Sequence, residues 1–296
     1  MIYHVPVLLK ECLEGLNIES DGTYVDVTFG GGGHSKAILE RLGPKGRLIG
    51  FDQDEDAWQN VPKDDRFRLV KRNFSFLEEE VREEKVRGLL ADLGVSSHQF
   101  DQEERGFSIR TDGPLDMRMD QSSNLTAEVV VNEYDEKELA AVLKEYGELN
   151  NARAVCGMLI RERKLGRITS TAQLVSILEK MAPFKKRNQF LAQVFQGLRI
   201  EVNDELEALE ELLLSCGKVI EPGGRLVVLA YHSLEDRMVK NYIRTGNTEG
   251  KEVKDFYGNR IAPFKEVNRK PLIPDDTEIL NNNRARSAKL RIAVKT

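Results

Sequence analysis

The chain has 296 residues, 40% of them hydrophobic and 31% charged, which suffices for a globular protein near the size where one core gives way to two domains. No apolar run approaches the ~20 residues of a membrane span, and the first residues lack the basic region and long apolar stretch of a secretory signal, so no membrane contact and a cytoplasmic location are expected. The net charge of −5 is uneven: residues 260–296 hold nine Lys/Arg and four Asp/Glu, a basic tail of +5 on a body of −10, which favours phosphate contact at one face. Cys12, Cys156 and Cys216 stand far apart without CxxC or histidine-rich company. They are expected to be buried thiols, with no metal site.

The first informative element is Thr23–Phe29. Val25, Val27 and Phe29 alternate with Tyr24, Asp26 and Thr28 as in a strand, and the run breaks into Gly30-Gly31-Gly32-Gly33 and then His34-Ser35. Ala37, Ile38, Leu39 and Leu42 follow at helical spacing. Glycines between strand and helix let the backbone turn at positive φ and let a ligand touch the main chain. The dinucleotide fingerprint fails, because the sixth residue counted from Gly30 is Ser35 and from Gly31 is Lys36. The phosphate-binding Walker loop fails as well, since Gly33 leads into His34-Ser35. A second strand, Arg47–Asp52, ends in an acid roughly 20 residues on, where a ribose hydroxyl partner sits in such folds. S-adenosylmethionine, with a ribose and no phosphate, fits this pattern; on this segment alone, so does a plain βα turn with a solvated aspartate.

Further strands are expected at Phe67–Asn73 and Val86–Asp92, the βαβα alternation of a parallel sheet. The alternation then stops. From Leu115 to about Asn203 the apolar spacing is helical, with Glu138–Tyr146, Ala152–Lys164 and Ala172–Met181 as clear segments. A helix over Asp204–Val219 and the turn Glu221-Pro222-Gly223-Gly224 lead into a strand ending at Tyr231, and weaker strands near Phe264–Asn268 and Ala288–Val294 complete the sheet. The expected organisation is an α/β domain over residues 1–114 and 204–296, split by an all-helical insertion over 115–203. Ligands of open α/β sheets bind beyond the carboxyl ends of strands, and those ends carry His34, Asp52, Asp92 and Tyr231-His232-Ser233.

Seven motifs in order, His4–Leu8, Thr28–Ser35, Asp92–Ser97, Arg105–Ser108, Asp112–Asp120, His232–Arg237 and Arg284–Ser287, closely resemble the bacterial MraW/RsmH family. The resemblance runs from His4 to about Ile292. It implies a Rossmann-like class I methyltransferase sheet of seven strands with an inserted helical substrate-recognition domain. It also implies transfer of a methyl group from S-adenosylmethionine to the N4 amine of a cytosine near the decoding centre of 16S ribosomal RNA, in the small subunit or its precursor. The matching cofactor contacts are Gly32, Gly33, His34, Asp52, Phe74, Asp92 and Gln99.

Methylating an exocyclic amine requires that the amine be held towards sp³ geometry and its proton be received. A carboxylate, hydroxyl or carbonyl does this without a cysteine nucleophile. Amine methyltransferases commonly carry Asp/Asn-Pro-Pro-aromatic after strand four, whereas this chain has Asp92-Leu93-Gly94-Val95. The catalytic candidates are therefore Asp92, His232, Ser233 and Asp236. Tyr231 is a candidate to stack on a flipped base, and Arg237, Arg284 and Arg286 are candidates to hold RNA. Within the insertion, Asn188–Val194 departs from the family's Ala-Thr-Arg-Thr pattern. Competing readings are a DNA amine methyltransferase and a non-catalytic ribosome-assembly factor that uses the cofactor pocket as a sensor; a nicotinamide oxidoreductase lacks its third glycine. The sequence leaves a homodimer open.

Overall fold

The computed structural model describes residues 6–258 and 260–296, so His4 and Val5 of the first motif lie outside the described residues. Contacts divide the chain into two compact units, residues 1–94 with 206–296 and residues 95–205.

In chain order the first unit begins with α1 (Leu9–Leu16), β1 (Thr23–Asp26), α2 (Gly33–Leu39), β2 (Arg47–Phe51), β3 (Phe67–Val70), α3 (Leu77–Val81) and β4 (Val86–Asp92). The second unit holds α4 (Ser97–Asp101), α5 (Ala127–Glu133), α6 (Glu136–Glu145), α7 (Ala152–Leu165), α8 (Thr171–Glu179) and α9 (Arg187–Asn203). The chain then returns through α10 (Glu205–Val219) to β5 (Ile220–Ala230), α11 (Ser233–Thr245), β6 (Phe264–Glu266), α12 (Asp276–Asn281) and β7 (Lys289–Lys295).

The seven strands form one sheet in the order β3-β2-β1-β4-β5-β7-β6. The first five run parallel, and β7 pairs antiparallel with both β5 and β6. The strand order reverses between β1 and β4, the switch point at which open α/β sheets take ligands. Alternating residues of β5 divide between two cores: Leu226 and Val228 pack with α10 and α11, while Val227 and Leu229 pack with α1 and α2. Burial on both faces explains why β4 and β5 read as near-continuous apolar runs. Truncating a fully buried residue such as Leu89 or Leu90 to alanine is expected to cost ~2–5 kcal/mol.

Several boundaries differ from the sequence expectation for identifiable reasons. Regular pairing of β1 ends at Asp26, although Val27 and Phe29 still donate to Leu90 and Phe51 carbonyls as the chain splays into the glycine turn. The turn Glu221–Gly224 lies inside β5 as a bulge: the partners of Val86 and Gly88 are Ile220 and Arg225, with Gly223 at φ 83°. The division of the first and second units falls after Gly94 rather than after Pro114. The reason is that Phe107, Leu115 and Met117 pack into the helical unit's own core with Val130, Leu139 and Leu198. Gly106 (φ 70°) is indispensable in that loop, since a Cβ there would lie 2.2 Å from the Pro114 carbonyl oxygen.

Candidate functional site

The carboxyl ends of β1, β2 and β4 hold the glycine turn against two carboxylates. Gly30, at φ 50°, donates its N–H to Asp52 Oδ2 at 2.8 Å, and Asp54 donates its N–H to Oδ1 at 2.9 Å. Asn60 Nδ2 donates to the Gly30 carbonyl at 3.1 Å, and Trp58 Nε1 donates to the Asp52 carbonyl at 3.1 Å. Burial raises the Asp52 carboxyl to about 6 against the pull of those two N–H donors. Each Asp52 oxygen has one backbone donor and lone-pair capacity left for a hydroxyl. Beside it, a Cβ on Gly30 would meet nothing closer than the Thr28 carbonyl oxygen at 3.9 Å. An acceptor carboxylate next to open space over bare backbone fits a ribose-bearing cofactor without phosphates.

Gly32 caps α2 in the left-handed region (φ 73°) and Gly33 opens it, with so little room that a Cβ on Gly33 would lie 2.4 Å from Pro6 Cγ. This packing directs His34 inward, where it is 6% exposed. His34 Nε2 lies 3.3 Å from the Val7 carbonyl, which only accepts, so that nitrogen carries hydrogen. Nδ1 then faces Asp92 Oδ2 at 3.6 Å. Tyr231 donates its hydroxyl to Asp92 Oδ1 at 2.6 Å, and the Asp92 N–H donates to Thr28 Oγ1 at 2.7 Å. Burial pushes the Asp92 carboxyl up, opposed by His34 and the Tyr231 hydroxyl. Burial and the neighbouring Asp92 push the Tyr231 phenol well up. The Tyr231 hydroxyl is thus held as a donor to Asp92.

Sequence reasoning missed Asp26. It is 1% exposed, accepts from Ser35 Oγ at 2.7 Å and from the Thr28 N–H at 3.2 Å, and has its carboxyl raised by burial. An acid between Val25 and Val27 in a buried strand was the available signal. It secures the start of α2 and the Thr28 hydroxyl that holds Asp92. Phe74 opens a short turn after β3, half-buried against the first core, while Asn73 Nδ2 ties that turn to Gln53, the neighbour of Asp52. Gln99 belongs to the helical unit. There it closes a capping box on α4, its Oε1 accepting from Ser96 N–H at 3.0 Å.

The other candidates sit at the start of α11. His232 is its N-cap and accepts the Glu235 N–H, while Glu235 Oε2 accepts from Tyr231 and His232 N–H at 2.8 and 3.2 Å. His232 Nε2 and Glu235 Oε1 are 3.1 Å apart but out of line for a hydrogen bond. Ser233 and Arg237 are exposed on this helix. Asp236 is bound by Arg291 Nε at 2.6 Å and Lys289 Nζ at 3.3 Å. Burial raises its carboxyl, and the hydrogen bond and charge of Arg291, with Lys289, outweigh burial and hold it below its ordinary value. The basic residues of 281–296, a stretch without acids, therefore divide: Lys289 and Arg291 are spent on Asp236, whereas Arg284 and Arg286 are exposed.

A sheet of this order with an antiparallel seventh strand, and a glycine turn followed by a strand-end acid, define a Rossmann-like class I methyltransferase. The family model described as MraW methylase family matches residues 1–296. The chain belongs to that family and is a methyltransferase. It is 53% identical over 296 residues to the Ribosomal RNA small subunit methyltransferase H of Bacteroides fragilis strain YCH46, covering 99% of this chain and 97% of that protein. The protein of the same name from Parabacteroides distasonis is 54% identical, covering 99% and 97%, and that from Flavobacterium johnsoniae 53%, covering 100% and 98%.

Proposed function

We propose that this methyltransferase uses S-adenosylmethionine to methylate the N4 amine of a cytosine near the decoding centre of 16S ribosomal RNA, acting in the cytoplasm on the small subunit or its precursor. The names of its relatives support a small-subunit ribosomal RNA substrate, and the motif resemblance supplies the base and the atom. The observation that carries the chemistry is the strand-end cluster of Asp92, Tyr231 and His34 beside the glycine turn.

Bound S-adenosylmethionine supplies an electrophilic methyl group on a sulfonium. Asp52 would accept the ribose hydroxyls, and Gly30, beside open space, would give the approach to backbone. The N4 lone pair of cytosine is delocalised into the ring, so attack requires that one N–H be held by an acceptor as the nitrogen becomes tetrahedral. Asp92 is that acceptor: Tyr231 orients one of its oxygens and His34 faces the other. On methyl transfer the displaced N4 proton would pass to the Asp92 carboxylate, a role worth about 10² to 10⁴ in rate. The helical unit, residues 95–205, supplies RNA-recognition surface in this reading, together with Arg237, Arg284 and Arg286.

The test is a label-transfer assay with S-adenosylmethionine carrying a labelled methyl group and three acceptors: small subunits, naked 16S RNA and duplex DNA. Label entering small subunits or their RNA is expected, and label entering DNA alone overturns the reading.

A further inference from the structure

Beyond the cofactor side of the rim, the ends of β5 and β7 and the segment around α12 enclose a cavity of 260 Å³. Tyr231 forms part of its wall, the same residue whose hydroxyl is bonded to Asp92, so the cavity is set against the proposed proton acceptor. Neighbouring strands lie about 4.8 Å apart, which puts the β5 and β7 ends one and two strands from Asp92 at β4. The lining has two chemistries. Ile273, Pro274 and Ile279 give an apolar side, with Ile273 68% exposed at the opening. Ser233, Ser287 and Arg286 give a polar side, and Arg286 makes no hydrogen bond or ion pair among the described residues. Lys289 also lines the cavity but is held by Asp236. The volume is just under the about 300 Å³ where pockets for larger organic ligands begin.

We propose that this cavity is a nucleotide subsite for the acceptor strand, taking one ribonucleotide of single-stranded RNA with its base against Ile273 and Ile279 and its phosphate at Arg286. A flat ring with a polar edge needs an apolar face and nearby hydroxyls, and a phosphate needs an uncommitted guanidinium. This stretch of wall offers both. The proposal rests on the reading that RNA is the substrate and adds where the strand enters relative to Asp92.

The experiment titrates the full-length protein with cytidine 5′-monophosphate and with cytidine, using calorimetry and NMR of the isoleucine methyl groups. The nucleotide is expected to bind about tenfold tighter than the nucleoside and to shift the Ile273 and Ile279 methyl signals. Arg286→Ala removes the tenfold preference, Arg286→Lys restores part of it, and Ile273→Ala weakens both ligands equally. Shifts confined to other isoleucines, or a phosphate preference that survives Arg286→Ala, overturn the subsite. Label transfer into small subunits is measured on the same preparations. Wild-type transfer without these binding effects rejects the subsite alone, whereas these binding effects without any transfer to RNA reject the proposed reaction and leave the subsite standing.

Discussion

Asp92 and Asp236 both sit on the rim beyond the strand ends, and both looked like catalytic acids in sequence, but their surroundings are opposite. The Asp92 carboxylate is met by the Tyr231 hydroxyl and a histidine ring while its own N–H is held by Thr28 Oγ1, and burial keeps its affinity for a proton high. Asp236 is saturated by a guanidinium and an ammonium, and its proton affinity is lowered. A carboxylate serves as a proton acceptor only while it has lone pairs to offer and gains by taking the proton. On that criterion Asp92 is the proposed proton acceptor, while the Asp236 ion pair fastens α11 to β7.

The largest expected difference is in turnover. Asp92→Asn should lower methyl transfer by ~10² to 10⁴ with far less effect on RNA binding, while Asp236→Asn should leave turnover close to wild type; equal losses in single-turnover assays would erase the distinction. The second difference is in stability. Arg291→Ala strands Asp236 in a largely buried position, with side chains 8% and 14% exposed, and should cost about 3 kcal/mol in denaturant unfolding. Arg286→Ala, on an exposed side chain, should leave the unfolding midpoint unchanged.

The cofactor side supplies a third comparison. Asp52→Ala should weaken S-adenosylmethionine binding by about 1.5–3 kcal/mol, read by calorimetry. Because the Asp52 carboxyl titrates at about 6, wild-type affinity should fall as the pH drops through that value and the acceptor gains a proton, and Asp52→Asn should abolish this dependence. The sign for stability is reversed. The folded protein keeps a proton that the unfolded chain releases near pH 3.9, so Asp52 lowers the stability of the ligand-free protein as pH rises from about 4 through about 6. The smallest effect is on salt dependence: Arg286→Ala should reduce the slope of log affinity for RNA against log salt by ~0.7–0.9, the value of one phosphate contact. Arg291→Ala, in a variant still folded, should leave that slope alone.

The parallel sheet was legible because both faces of β4 and β5 are buried, which writes the apolar runs Leu89–Ala91 and Leu226–Ala230 into the sequence, and because glycine at the β1 turn is required by backbone geometry. The position of Asp52 beside the glycine turn was legible for the same reason, since its distance from that turn is set by one βα unit. Partnership was not legible. Nothing in the spacing of Asp236 and Arg291, 55 residues apart, reveals that antiparallel β7 returns a cation to α11. Nor does the sequence reveal that the Tyr231 hydroxyl donates to Asp92, 139 residues away. Leu115 and Met117 are core residues of the helical unit, and the turn-rich segment around them gives no periodicity that would place the unit's boundary before them.

The central claim, that this rim methylates an exocyclic cytosine amine, is tested most directly by nucleoside mass spectrometry of 16S RNA from small subunits incubated with the wild-type protein and labelled S-adenosylmethionine. The account predicts one labelled nucleoside per subunit, a cytidine carrying the methyl group on N4, absent when Asp92→Asn replaces the wild type. Label on a ring carbon or a ribose oxygen would contradict it.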